Sequence, residues 1–211
     1  NMATPNIVPR ADSEGGLGTS SKYWASAYID AITTTGNVTI GGVVTATSFN
    51  GIPFFSDATN NSMYTHDVSG TDNSAEANTA YGFTSLDAIT TGDRNTAIGY
   101  AAGGALLSAS DNVLVGYLTG DAITTGIRNV AIGSNALSAE DAHGYNVAVG
   151  YGALTVQNAG ADAYNVAVGA SAGTAVTTGL YNTVLGGEAL KTNIDGDKNT
   201  AIGFRALKSF E

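Results

Sequence analysis

Apolar and polar positions follow one rule over the second half of the chain. A phrase of Asn, Thr or Val, a small residue, an apolar residue and Gly starts at Asn78, Asn95, Asn112, Asn129, Asn146, Asn165, Asn182 and Asn199. The interval is 17 residues each time except from Asn146 to Asn165, where it is 19. Such regularity marks a repeat architecture. Within a copy the alternation has period 2, the pattern of a short strand. Tyr81, Ile98, Val115, Ile132, Val149, Val168, Leu185 and Ile202 share one face with the Thr or Val two places earlier. Between them stands Ala in six copies, with Leu114 and Val184 as exceptions. This predicts an apolar inner ladder of Val and Ile and an outer face of small residues, against which identical chains pack closely. On that assignment Ile132→Asp disrupts the roll. Gly ends each strand, where a positive φ or a sharp corner is needed. A second apolar line begins three residues later, with small residues followed by Leu in five copies.

A propeller blade or helical repeat needs roughly 33 residues or more. Seventeen suit one coil of a β-solenoid, with two short strands and two turns per coil. Eight coils stacked at about 4.8 Å make a rod segment of about 38 Å. The recurrent Asn has two readings: it tolerates a left-handed turn, or its amides bond from coil to coil. A thin coil buries little apolar surface, so a homotrimer around a shared axis is expected.

Composition fits this picture, since 28 glycines and only 12% charged residues in 211 suit a turn-rich repeat better than an ordinary enzyme. The net charge of −10 opposes attraction to nucleic acid or anionic membranes, so neither is an expected partner. Without cysteine, packing and hydrogen bonds must hold the fold. No run of about 18 apolar residues is present and the start is not basic then apolar, so neither a signal peptide nor a membrane anchor is expected.

The phrase Asn-Thr-Ala-Ile-Gly-x-x-Ala-Leu resembles the repeats in β-roll heads of trimeric autotransporter adhesins and in phage tail fibres. The resemblance covers residues 78 to 207 and implies a parallel β-roll, three chains side by side, and attachment to cell surfaces. The 17-residue period is longer than the compact adhesin-head repeat. Ahead of it, "LGTSSKYWASAYI", "GNVTIGG" and "FNG" are similar to a small tail-fibre module, and Pro5 to Arg10 resembles the opening of cyanophage structural proteins. Three parts are therefore expected: an N-terminal β module over 1–56, a joint or loop over 57–77, and an eight-coil β-roll over 78–211.

No nucleophile signature surrounds His66 or His143. The turn acids Asp121, Glu140, Asp141, Asp162, Asp195 and Asp197 are read as solvated, and "NIDGDKN" departs from a calcium loop. No catalytic residue, metal site or cofactor is assigned. The binding candidates are Tyr145, Tyr164 and Tyr181, each just before the Asn of successive coils, whose stacked rings suit a sugar face or a packing ladder. Beside them stands the two-residue insertion, placed in the turn with Gln157, Asn158 and Asp162, since loops vary without disturbing the ladder. The expected function is a non-catalytic fibre subunit of a virion, bound to other fibre or tail proteins and to a host-surface glycan or protein. The alternatives are a bacterial trimeric adhesin head at the cell surface and a solenoid polysaccharide depolymerase.

Overall fold

The computed structural model describes residues 48–49, 52–53, 55–57, 62–65, 71 and 73–209. Most of the N-terminal module expected over 1–56, Trp24 included, lies outside them, as does His66. Strands β1 (Ser48–Phe49) and β2 (Ile52–Pro53) pair antiparallel, as do β3 (Phe55–Asp57) and β4 (Ser62–Tyr64). Strand β4 falls within the interval 57–77. From it the sheet continues in parallel through β5 (Thr79–Tyr81), β6 (Thr96–Ile98), β7 (Val113–Val115), β8 (Val130–Ile132), β9 (Val147–Val149), β10 (Val166–Val168), β11 (Thr183–Leu185) and β12 (Thr200–Ile202). Each strand pairs with the same residues one repeat on, as Thr96, Ala97 and Ile98 pair with Val113, Leu114 and Val115. The chain is a parallel β-solenoid with one coil per repeat, all-β among the described residues.

Each coil carries one three-residue strand, not the expected two. The other half is a run of turns, yet its backbone also bonds from coil to coil: Leu86 N–H donates to Ala102 O at 3.1 Å and Ala101 N–H to Phe83 O at 3.0 Å. Left-handed residues at fixed places curl the chain, such as Arg94 before Asn95 and Ala101 after Gly99 (φ 56° and 51°). The glycine that ends the strand is obligatory. Gly99 has φ 130°, and a Cβ there would strike the carbonyl of Gly116 in the next coil.

The asparagines form the coil-to-coil ladder. Asn95 N–H donates to Asn78 Oδ1 at 2.8 Å, and Asn182 and Asn199 repeat the bond to Asn165 and Asn182 at 2.8 and 2.9 Å. The amide nitrogen meanwhile donates into a turn, as from Asn95 to Ala109 O at 2.7 Å. A side chain such as Asn95 thus satisfies a buried N–H of one coil and a buried carbonyl of another. The left-handed conformation belongs to the residue before the Asn.

The strand faces are the reverse of those expected. Ala80, Ala97, Leu114, Ala131, Ala148, Ala167 and Val184 are fully buried, while Ile98 and Ile132 are 41% and 38% exposed. The reason is the thinness of the coil. The turn half lies directly across from the strand and sends in its own side chains, Leu86, Ile89, Leu106, Ile123, Leu137 and Leu154 among them. Only a small residue fits between. The small-residue column is therefore the inside of the roll, and the Val and Ile columns stand on its outer face.

Candidate functional site

The outer face of the sheet is apolar and flat. Along the fourth through sixth coils, Val130, Val147 and Val166 form one half-exposed row, and Ile132, Val149 and Val168 form the next. Parallel pairing holds both rows in register, so equivalent side chains touch up the stack.

Two aromatic ladders lie beside the sheet, one on the glycine side of the strands of the first three coils and one on the asparagine side of the fifth to seventh. On the glycine side, Phe83, Tyr100 and Tyr117 stack with centroids 6.3 and 5.5 Å apart and planes within 16°. On the asparagine side, Tyr145, Tyr164 and Tyr181 stack at 4.7 and 5.8 Å, and the Arg128 guanidinium lies 5.4 Å over the Tyr145 ring. Coil spacing is close to ring-stacking distance, so the same ring in successive coils makes a ladder without further adjustment. Desolvation, then the neighbouring Tyr145, push the Tyr164 hydroxyl above its ordinary value. Tyr164 and Tyr181 are exposed and Tyr145 is half-buried. Farther up the glycine side, Tyr151 borders a surface depression of about 310 Å³ with Asn135, Ser138, Thr155, Ser171 and Thr174.

Tyr145, Tyr164 and Tyr181 therefore come together as one stack at the surface, exposed at Tyr164 and Tyr181. The insertion turn is different. Gln157 is fully buried, its Oε1 accepting from Asn165 Nδ2 at 2.8 Å, and so is not a surface contact. It holds the inward corner position that Ile123 holds two coils earlier, which turns its side chain to the core. Asn158 and Asp162 are exposed, but both pin the turn: Asn158 N–H donates to Thr177 O at 2.9 Å, and Asp162 Oδ1 accepts from Gly144 N–H at 2.9 Å. The extra residues bulge between two fixed points.

Other features of the sequence are absorbed by the fold. Thr90, Thr124 and Thr177 donate their hydroxyls to carbonyls one coil on. In "NIDGDKN", Asn193 Oδ1 accepts from Gly196 N–H at 3.0 Å and Asp197 Oδ1 from Leu180 N–H at 2.7 Å, so these oxygens serve the turn. The sequence reading missed Glu140. Instead of being solvated it is fully buried, with Oε1 accepting from His143 N–H at 3.1 Å. Burial pushes its carboxyl up, against the opposing pull of His143. The signal was present, since Glu140 falls exactly one repeat after Ile123 and so belongs to an inward column.

The fold and surface define the class as a parallel β-solenoid with an exposed apolar sheet and aromatic ladders. Comparison with protein-family models, curated proteins and solved structures gave no match to the chain.

Proposed function

We propose that the chain is a non-catalytic subunit of a phage tail fibre or receptor-binding segment, working in the virion as a homotrimer that meets a glycan or protein on a host surface. The observation that carries this reading is the outer sheet face, where one column is apolar in every coil from Tyr81 to Ile202, a second is Val through the third to sixth coils, and aromatic ladders stand beside the first three and the fifth to seventh coils. Monomeric soluble proteins rarely expose contiguous apolar patches beyond a few hundred Å². Association of three chains through the Val and Ile rows buries such a patch, and a stack of bonded coils makes a stiff spacer between other fibre or tail proteins and the host.

The tyrosine stack is the proposed contact for the receptor, because a row of stacked rings offers ring edges, hydroxyls and an end face along which a sugar chain can lie. The test is binding to an array of bacterial surface glycans, comparing the native chain with Tyr164→Ala, which removes the middle ring. Binding is expected to weaken by about tenfold or more, the loss typical of an anchoring aromatic, while the circular dichroism spectrum and sedimentation are unchanged. Undiminished binding by the folded variant removes the stack from the receptor site.

A further inference from the structure

One corner of the roll departs from the repeat in several ways at once. Its inward column reads Ile89, Leu106 and Ile123, then Glu140 and Gln157, then Val176. The position three residues before each Asn is Gly92, Ala109 and Gly126, then His143. The two extra residues of the chain fall in the very next coil. The asparagine ladder continues through this coil, Asn146 Oδ1 accepting from Asn165 N–H at 3.2 Å, but the bond into the turn is missing: Asn129 and Asn165 donate their amide nitrogens to His143 O and Gly179 O, whereas Asn146 Nδ2 between them is buried with no partner.

Glu140 is the centre of this departure. Its Oε1 takes the His143 N–H and lies 3.4 Å from His143 Nδ1, whereas Oε2 and that Nδ1 are buried without a hydrogen-bond partner. A buried carboxylate is costly unless an opposite charge or hydrogen-bond donors meet it. The exposed Asp141 stands beside it, and one carboxylate oxygen from each acid and one ring nitrogen of His143 lie within 4.8 Å of one another.

The structure assigns a divalent metal site to this corner, formed by Glu140, Asp141 and His143 and suited to a first-row ion such as Zn²⁺. One imidazole nitrogen with two carboxylate oxygens is a donor set that Zn²⁺ takes, with water in the remaining position. Ca²⁺ takes six to eight oxygens, and the other unpartnered atoms near the corner, Asn146 Nδ2 and Gln157 Nε2, are donors rather than ligands. The ion ties the turn of the fourth coil together next to the widened fifth coil, where the Asn146 amide nitrogen lacks its turn bond. This inference does not depend on the fibre reading.

The repeat supplies its own controls. Ile123 occupies the position of Glu140 one coil earlier, and Ala109 that of His143 two coils earlier. Glu140→Ile and His143→Ala are therefore expected to fold. The experiment is calorimetric titration of the chelator-treated full chain with ZnCl₂, together with thermal melts with and without Zn²⁺. The expected result is one Zn²⁺ per chain, a melting temperature that climbs with Zn²⁺ concentration, affinity lowered by at least about tenfold in either variant, and a metal-free Glu140→Ile protein at least as stable as the metal-free native chain. Zn²⁺ binding that survives both substitutions, no saturable binding below the millimolar range, or a preference for CaCl₂ over ZnCl₂ overturns the assignment.

Discussion

Leu114 shows how tightly single residues are coupled inside the roll. It stands in a column otherwise made of Ala, apart from Val184, and it points at two positions, Gly103 and Gly120, where other coils carry Leu. A Cβ at Gly103 would lie 2.7 Å from Leu114 Cδ1, and one at Gly120 would lie 2.8 Å from its Cδ2. One leucine from the strand thus fills the volume that two leucines from the turns leave vacant, a volume-conserving exchange across the core. Leu114→Ala is expected to cost about 2–5 kcal/mol, the range for a buried leucine truncated beside two glycines; urea unfolding monitored by circular dichroism measures it. Adding Gly103→Leu and Gly120→Leu restores the pattern of the other coils. Part of the loss is expected to return, since Leu86 and Leu137 hold the same left-handed conformation at the equivalent position (φ 54° and 53°). The exceptions were visible in the sequence as exceptions, but their mutual compensation required knowing which columns face each other.

At the scale of the element, the period placed one strand of each coil and the corner glycines, while the asparagine was left between a left-handed turn and coil-to-coil bonding and the structure shows the bonding. Identical bonds recur wherever identical residues stack, so one good alignment predicts all of them. The inside and outside of the strand were not legible in the same way. A run such as Val147-Ala148-Val149 has no polar residue to mark the solvent side, and size was taken as the guide to burial. In a coil this thin, room decides instead, and the small residue goes in. The insertion was correctly placed in a turn, but Gln157 was taken for a loop residue when its spacing from Ile123 and Glu140 already put it in the inward column. Coil ends carry their own electrostatics. Glu188 accepts from Lys208 Nζ at 2.8 Å and Arg205 Nε at 2.9 Å, with Lys191 Nζ 3.3 Å away, and these hydrogen bonds lower its pKa from 4.5 to about 2. A carboxyl whose folded pKa is depressed stabilises the fold above its unfolded pKa, and that contribution is lost as pH falls toward the folded value. Glu188→Gln is therefore expected to melt below the native chain at pH 6, with the difference shrinking as pH falls below 4.5 and disappearing only below pH 2. The effect is small and reduced by salt, because the group is solvent-exposed. A difference that grows on acidification contradicts the pairing.

For the molecule as a whole, the central claim is that the Val and Ile rows face outward and serve association rather than folding. Ile132 distinguishes this from the opposite assignment because it lies near the middle of the roll and is 38% exposed, while its neighbour Ala131 is fully buried. An aspartate at 131 places an unpaired charge in the core and is expected to unfold the roll. An aspartate at 132 meets solvent in a single chain, but in a trimer three carboxylates enter an apolar interface. The decisive measurement is analytical ultracentrifugation of Ile132→Asp beside the native chain, with circular dichroism melts of both. The predicted result is a native trimer and a folded monomeric variant with β-structure retained. An unfolded Ile132→Asp chain, or a native chain that sediments as a monomer at micromolar concentration, contradicts the account.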